Sequence, residues 1–421
     1  MYQVTRLKNG LTVATAEMPH MASVSLGIWV GVGGRHEPPA LNGISHFIEH
    51  LLFKGTHKRS ARQISQDVEG IGGYLNAFTS EENTCFYSRA RHDRFEVLLD
   101  VLTDMFLNSK VAPIEIDKER NVIKDELAMY LDQPHLHVQE LLNETLWPDQ
   151  PLGRSLTGTA QTLDALARPH FLDYLRTHYV SGSTLITAAG RLQHRQVVKA
   201  VAPYATRFNS GKRSAFAPAT SDQRQPAVRL FTKATEQTQL ALGIRTCSRH
   251  DDRRFALRLL NTILGENTSS RLFQVVREDH GLAYSIHSSL SLFDDVGDLV
   301  IAAGLDTDKF RPTLKLIMQE LRRLAATPPS TAELRRARDY VLGQFDLSLE
   351  STENQMMWLG EQLLAYGKII SPAEIKRRLG EVTASEIRAA AQDFFRPERL
   401  NLALVSPLKK ASHLHKLMTF Q

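Results

Sequence analysis

The chain reads as an α+β protein of two structurally similar domains, each an antiparallel-rich sheet packed with helices. Three observations carry this reading. Its 421 residues exceed what one core commonly organises and suggest two domains of about 200 residues. A polar, proline-containing stretch from Arg207 to Ala227 interrupts the chain near its middle. The elements on either side of that stretch follow a similar order, which points to a weak internal duplication. The expected division is residues 1–208, a linker at 209–227 and residues 228–421.

Taken in order, Ser23 to Val32 reads as a strand, then come a helix around His46, a glycine turn at Gly72-Gly73 and a long helical region. The hydroxyl of Ser60 can serve as N-cap of the helix that follows it. Cys85-Phe-Tyr-Ser is strand-like. Beyond the linker, Gln237 to Ile244 reads as a strand, Arg253 to Leu264 as a helix and Ser269 to Glu278 as a further segment. Gly281-Leu-Ala-Tyr284 then leads into Ser285 to Leu292. The duplication is one of order and not of residue identity.

Composition narrows the function classes. Apolar content of 42% and charged content of 23% are those of an ordinary soluble globular protein. A net charge of +5 is small for this size, and no basic patch interleaved with aromatics argues for nucleic acid. Lys409-Lys410 and the run from His413 to Lys416 read as a solvated tail. Cys85 and Cys247 stand too far apart in sequence to suggest a disulfide framework and are expected to be buried thiols. No signal peptide is visible, and no apolar run approaches the roughly 18 residues of a membrane helix. A cytoplasmic protein is expected; a processed chain in an organelle matrix would look the same.

The chemistry centres on His46-Phe-Ile-Glu49-His50. On a helix these three polar positions fall within an arc of about 100°, so both imidazoles can share one ion. Glu49, beside His50, is placed to take a proton from a metal-bound water. The order is that of the inverted zincin motif. A surface helix with unrelated histidines would also give this pattern, but Gly43 before it and Leu51-Leu52-Phe53 after it imply a largely buried helix. A catalytic zinc needs a third protein ligand from elsewhere. Ile116 to Tyr130 reads as a helix with Val122, Ile123, Leu127 and Tyr130 on its apolar side, and Glu119 and Glu126 lie two turns apart on one face. Carboxylates on a half-buried face are costly unless paired or metal-bound. Glu126 is therefore the expected third ligand, and Glu119 a carboxylate that orients a ligand or assists with protons. Without the histidines both would read as exposed helix glutamates.

Three stretches together, Gly33-Gly34-Arg35-His36-Glu37, Gly43 through Thr56 and Glu119 through Glu126, closely resemble the pitrilysin (insulinase) family of zinc peptidases. The branch they look like is that of the mitochondrial processing peptidase and its bacterial relatives. That family's third ligand lies 76 residues beyond the second histidine, a spacing that falls on Glu126. The resemblance implies one zinc per chain on His46, His50 and Glu126, with Glu49 as general base and Glu119 as auxiliary carboxylate. It also implies that Asn76, Ala77, Phe78 and Thr79 line an exposed edge that pairs with a peptide backbone. On the residues alone, Asn76 and Thr79 could also mark a turn into a core strand. Pro151 to Arg154 and Gly158-Thr159 match family positions with a structural look.

The second half has no H-x-x-E-H. Its Arg277 and Tyr284 resemble the pair that the family presents to the scissile peptide, where both can donate to a carbonyl oxygen gaining charge. By themselves they read as a helix-surface arginine paired with Glu278 or Asp279 and a core aromatic. The resemblance further implies a clam-shell half, a homodimer with a composite active site, and an enclosed chamber that admits oligopeptides or unfolded leader segments. A heterodimer remains open. The expected function is a zinc metalloendopeptidase, with a non-catalytic or partner-dependent subunit of the same fold as the alternative.

Overall fold

The structure, a computed structural model, describes residues 2–410 and 414–419. It divides into two compact units, and neither is a continuous half of the chain. The first comprises the chain through Leu127 with Ser155–Ala217 and Asp346–Ile369; the second comprises Ala128–Arg154, Pro218–Phe345 and the chain from Ile370 onward.

The first unit is built on strands β1 (Tyr2–Arg6), β2 (Thr12–Glu17), β3 (Ser23–Val30), β4 (Tyr74–Thr79), β5 (Thr84–Arg91) and β6 (Thr184–Gly190). They lie in the order β1-β2-β6-β3-β5-β4. Only the β2–β6 pair is parallel. Alternation along β3 explains its burial on both faces. Val24, Leu26, Ile28 and Val30 join the core beneath the helix Ile44–Leu52, where Phe47 packs edge-on to Phe171 with centroids 4.8 Å apart. Ser25, Gly27 and Trp29 alternate with them and meet the helix Thr352–Tyr366. That helix comes close because the facing residues are small. Ser25 Oγ lies 2.9 Å from Thr352 Oγ1, and Gly27 leaves room for Met356. Gly360 leaves room for the Trp29 indole, whose Nε1 donates to Thr187 Oγ1 at 2.9 Å.

The second unit carries β7 (Ala227–Thr232), β8 (Thr238–Thr246), β9 (Ser285–Leu292), β10 (Gly297–Leu305) and β11 (Leu400–Ser406), in the order β7-β11-β8-β10-β9. Its parallel pair, β7 with β11, sits where β2 and β6 sit in the first sheet. Five strands therefore repeat the first sheet's order and directions, and the duplication is one of topology. The helix Pro134–Leu146 covers β7, β8 and β11, with Gly243 opposite Leu142 and Leu146. The expected helix Arg253 to Leu264 forms as Arg254–Asn261 and runs into a π-helical turn at Thr262–Glu266.

One expectation is corrected and two are refined. The division at 1–208 and 228–421 assigned each helix to its own half of the sequence. Instead Thr352–Tyr366 belongs to the first unit and Pro134–Leu146 to the second. An amphipathic stripe demands a sheet face but does not say which sheet. The chain does pass from one unit to the other within 209–227, after Ala217, but that stretch packs against the units. Asn209 accepts from the Ser181 amide at 2.8 Å, Lys212 bridges to Gly182, and Arg35 lies 3.9 Å over Phe216, all within the first unit. From Pro218 the chain belongs to the second, where the Ala219 amide donates to Asp295 at 2.7 Å. In the expected solvated tail Lys409, Lys410, His415 and Lys416 are exposed, but Leu414 is buried in the second core together with Met418 just beyond; His413 lies outside the described residues. Cys85 and Cys247 are buried free thiols, and no described helix is long and apolar enough to cross a membrane.

The close approach of Thr352–Tyr366 to β3 is testable by chemical denaturation. Gly360→Val places a branched side chain against the Trp29 indole and is expected to cost about 1–3 kcal/mol or more. Gly343→Ala, at a helical position with no neighbour in reach, is expected to stabilise by up to about 1 kcal/mol.

Candidate metal centre

The helix Ile44–Leu52 is started by a buried acid. Glu37 Oε2 accepts from the Gly43 amide at 2.8 Å and Oε1 from the Ser45 amide at 2.9 Å, while Asn42 Nδ2 donates at 3.1 Å. These amides are among those a helix N-terminus leaves unpaired, and the helix dipole favours an anion there. Gly43 enters with φ +94°, and a Cβ there would press on the Thr157 carbonyl and on Gly158. Burial pushes the Glu37 carboxyl up, and the amides of Ser45 and Gly43 oppose the shift.

One face of this helix carries His46, Glu49 and His50. The helix Pro113–Asp132 buries Ile116, Glu119 and Ile123 and brings Glu126, two turns beyond Glu119, to the same place. Glu126 Oε2 lies 3.7 Å from His46 Nε2 and 3.7 Å from His50 Nε2. The three ligand atoms lie within 4.8 Å of one another. Separations of 3.7 Å are too long for hydrogen bonds but near the roughly 3.3 Å edge of a tetrahedron with zinc-type bonds of about 2.0–2.1 Å. The donor set thus fits a tetrahedral divalent ion with one position left open. Burial first, and the neighbouring His50 second, push the His46 imidazole down to about 4, so its lone pair is free at neutral pH.

The carboxylates divide by their partners. Glu119, 4% exposed, holds His50 Nδ1 at 3.1 Å through Oε2 and Lys54 Nζ at 2.8 Å through Oε1. A carboxylate on the far nitrogen of a ligand histidine fixes its tautomer and raises its basicity. Glu119 is no surface glutamate. Glu49 is half-buried, and Thr79 Oγ1 donates to its Oε2 at 2.6 Å. Burial raises the Glu49 carboxyl, with the Thr79 hydrogen bond opposing. Sequence reasoning assigned no role to Glu37, Lys54 or the Thr79 hydroxyl's hold on Glu49. Lys54 follows His50 by one helical turn, a spacing that could have revealed it.

Asn76, Ala77, Phe78 and Thr79 lie on β4, which ends its sheet and, among the described residues, pairs only with β5. Asn76 is exposed, and its Oδ1 accepts from the Ala77 amide at 2.9 Å. Phe78 packs edge-on to Trp29 at 5.6 Å. Arg277 and Tyr284 belong to the second unit. They are brought together there, with the guanidinium 5.7 Å from the Tyr284 ring, 4.8 Å from the Phe273 ring and 3.8 Å from Glu278. Tyr284 is 79% exposed, which removes the core-aromatic alternative.

A two-unit α+β chain in which an inverted zincin helix and a second helix bring two histidines and a glutamate together has a metallopeptidase-type scaffold. Comparison with known proteins gives the family. Residues 12–160 match the insulinase (peptidase family M16) domain and residues 165–341 the M16 inactive domain. An uncharacterized zinc protease of Streptomyces coelicolor is 38% identical over 419 residues, covering 98% of this chain and 91% of that one. One of Bacillus subtilis is 35% identical over 400 residues, with 95% and 97% covered. The crystal structure of a protease from Helicobacter pylori shares the fold at a TM-score of 0.91 and 20% identity, with 97% and 100% covered. The chain belongs to the insulinase, or M16, family.

Two outcomes are expected. Glu119→Gln should weaken zinc binding about 10–100-fold in competition with a chromogenic chelator, with the fold intact. Metal-free protein should lose stability as pH falls. The unfolded chain binds a proton at His46 near 6.5 and the folded chain only near about 4, so the contribution is complete above 6.5 and lost below 4. At most about 3 kcal/mol is involved. Melting of chelator-treated protein at pH 7 and pH 5 measures it, and His46→Gln should flatten the difference.

Proposed function

We propose that this chain is a zinc-dependent endopeptidase that cleaves oligopeptides or unfolded leader segments. The observation carrying the proposal is the pair of imidazole nitrogens equidistant from one Glu126 oxygen, with Glu49 on the same helix face. Zinc as the ion is supported by the naming of the relatives as zinc proteases. Bound to His46, His50 and Glu126, zinc would act as a Lewis acid and lower the pKa of a coordinated water towards about 7. Glu49 accepts the proton from the attacking water and returns it to the leaving amine nitrogen. Glu119 holds the His50 imidazole in register. The outer edge of β4 at Asn76–Thr79 takes up an extended peptide by main-chain hydrogen bonds, which favours unfolded substrates without strict sequence choice. Arg277 and Tyr284 donate to the carbonyl oxygen as it gains charge, each worth on the order of 3 kcal/mol.

The processing-peptidase-like branch, an enclosed chamber, a cytoplasmic setting and a homodimer complete the reading. In that dimer, the metal centre of one chain would be completed by the partner subunit's Arg277 and the partner subunit's Tyr284. The test is cleavage of quenched fluorescent peptides by zinc-loaded protein beside Glu49→Gln. Cleavage by the parent, and zinc binding without cleavage by the variant, are expected. Retained cleavage in Glu49→Gln would remove Glu49 as base. Zinc binding without cleavage in both would replace the self-sufficient enzyme with a partner-dependent subunit.

A further inference from the structure

We infer that Thr79 is a positioning residue for Glu49, coupling the peptide-binding strand to the general base. The inference rests on the endopeptidase reading and adds to it. Thr79 is the last residue of β4, the strand whose outer edge is open to an extended peptide. Its main chain belongs to that strand, and its hydroxyl donates to Glu49 Oε2 at 2.6 Å. Among the described residues no other side chain donates a hydrogen bond to Glu49, and Oε1 makes none. The Thr79 hydroxyl therefore settles which way the carboxylate turns.

A glutamate side chain has several rotatable bonds, and Glu49 is only half-buried, so packing alone does not fix its carboxylate. Without the hydroxyl, no described side chain selects among the rotamers, and the carboxylate can swing away from the place where a nucleophilic water must lie. A catalytic group displaced by about 1 Å can lose about 10²-fold in rate. On the other side, Thr79 pairs with Thr84 of β5, whose hydroxyl is bound to the Val32 carbonyl at 2.9 Å, so the strand end is itself anchored. A peptide that adds to β4 fixes the same backbone from its open edge. Docking and base alignment then share one hydrogen bond. This differs from a role in substrate affinity, which would lodge in KM.

The experiment compares zinc-loaded full-length parent, Thr79→Val and Thr79→Ser. Thr79→Val, nearly isosteric but without the donor, is expected to lower kcat about 10–100-fold, with KM and zinc affinity changed less than about twofold. Thr79→Ser should restore most of the rate. An unchanged kcat in Thr79→Val, a loss confined to KM, or a Thr79→Ser variant as impaired as Thr79→Val would overturn the inference. Crystal structures of the two variants decide it independently of turnover. A Glu49 carboxylate displaced in Thr79→Val and retained in Thr79→Ser supports the role, and one unmoved in Thr79→Val overturns it. A parent that cuts no peptide would thus sink the endopeptidase reading while the carboxylate positions still judge Thr79.

Discussion

The buried carboxylate of Glu37 is the constraint on which the metal centre depends. It accepts two amides from the first residues of the motif helix, so the helix can begin only where those amides are presented. Each residue advances a helix by about 100°, and a start displaced by one position would turn His46 away from Glu126. Gly43 enforces the same choice sterically, since the loop at Thr157-Gly158 leaves no space for a side chain. Asn42 ties that loop in by donating to both Glu37 and the Ser155 carbonyl at 3.0 Å. The family-like positions at Gly158 and Glu37, far apart in sequence, thus serve one purpose: they hold the first turn of the motif helix.

The two sheets pose a common problem, because the inner strands of each are buried on both faces and need helices above and below. The sheets solve it identically, with one covering helix in each drawn from the far part of the chain. The order of strands and helices was legible because alternation and helical periodicity are local. The exchange of Thr352–Tyr366 and Pro134–Leu146 was not, because the information lies in complementary shapes. Ser25, Gly27 and Gly360 match one helix to one sheet, and Gly243 with Leu142 and Leu146 match the other. Small residues within strands and helices are the only trace of this in the sequence, and read singly they look like weak points of the elements. The tail was legible in part: its lysines and His415 are exposed as their charge suggests, while Leu414 and Met418, four apart, carry packing that the charged run obscured.

Legibility of the site followed sequence distance. His46, Glu49 and His50 are read from one helical turn, and the structure keeps them on one face. Glu126 was reachable because its two-turn spacing from Glu119 places both on a half-buried face, and it does meet the histidines. The division of labour between the two glutamates was less accessible. Helical periodicity puts them on one face, but only the three-dimensional arrangement gives Glu119 to His50 Nδ1 and Lys54 and leaves Glu126 facing both Nε2 atoms. Asn76–Thr79 form an edge strand rather than a turn into the core. Arg277 and Tyr284 are adjacent and outward, which agrees with a role in contact but equally displays the Glu278 ion pair that the plain reading anticipated.

Charge explains why this cluster tolerates partial burial. Glu119 is matched by Lys54 and by the His50 ring, leaving Glu126 and Glu49 as neighbouring carboxylates; burial raises the Glu49 carboxyl, and the charge of Glu126 adds a smaller push the same way. A proton on His46 would be the simplest relief, but burial and the adjacent imidazole oppose it and hold the ring neutral. A divalent cation relieves the repulsion without that penalty, because it brings charge to the point where two imidazole nitrogens and one carboxylate oxygen already converge. The same reasoning keeps Glu49 out of the ligand set. Its Oε2 is engaged by Thr79, and it stands beside His50 on the helix rather than across from it. The three carboxylates thus differ in their partners: Glu126 faces both Nε2 atoms, Glu119 holds His50 Nδ1 and Lys54, and Glu49 takes the Thr79 hydroxyl.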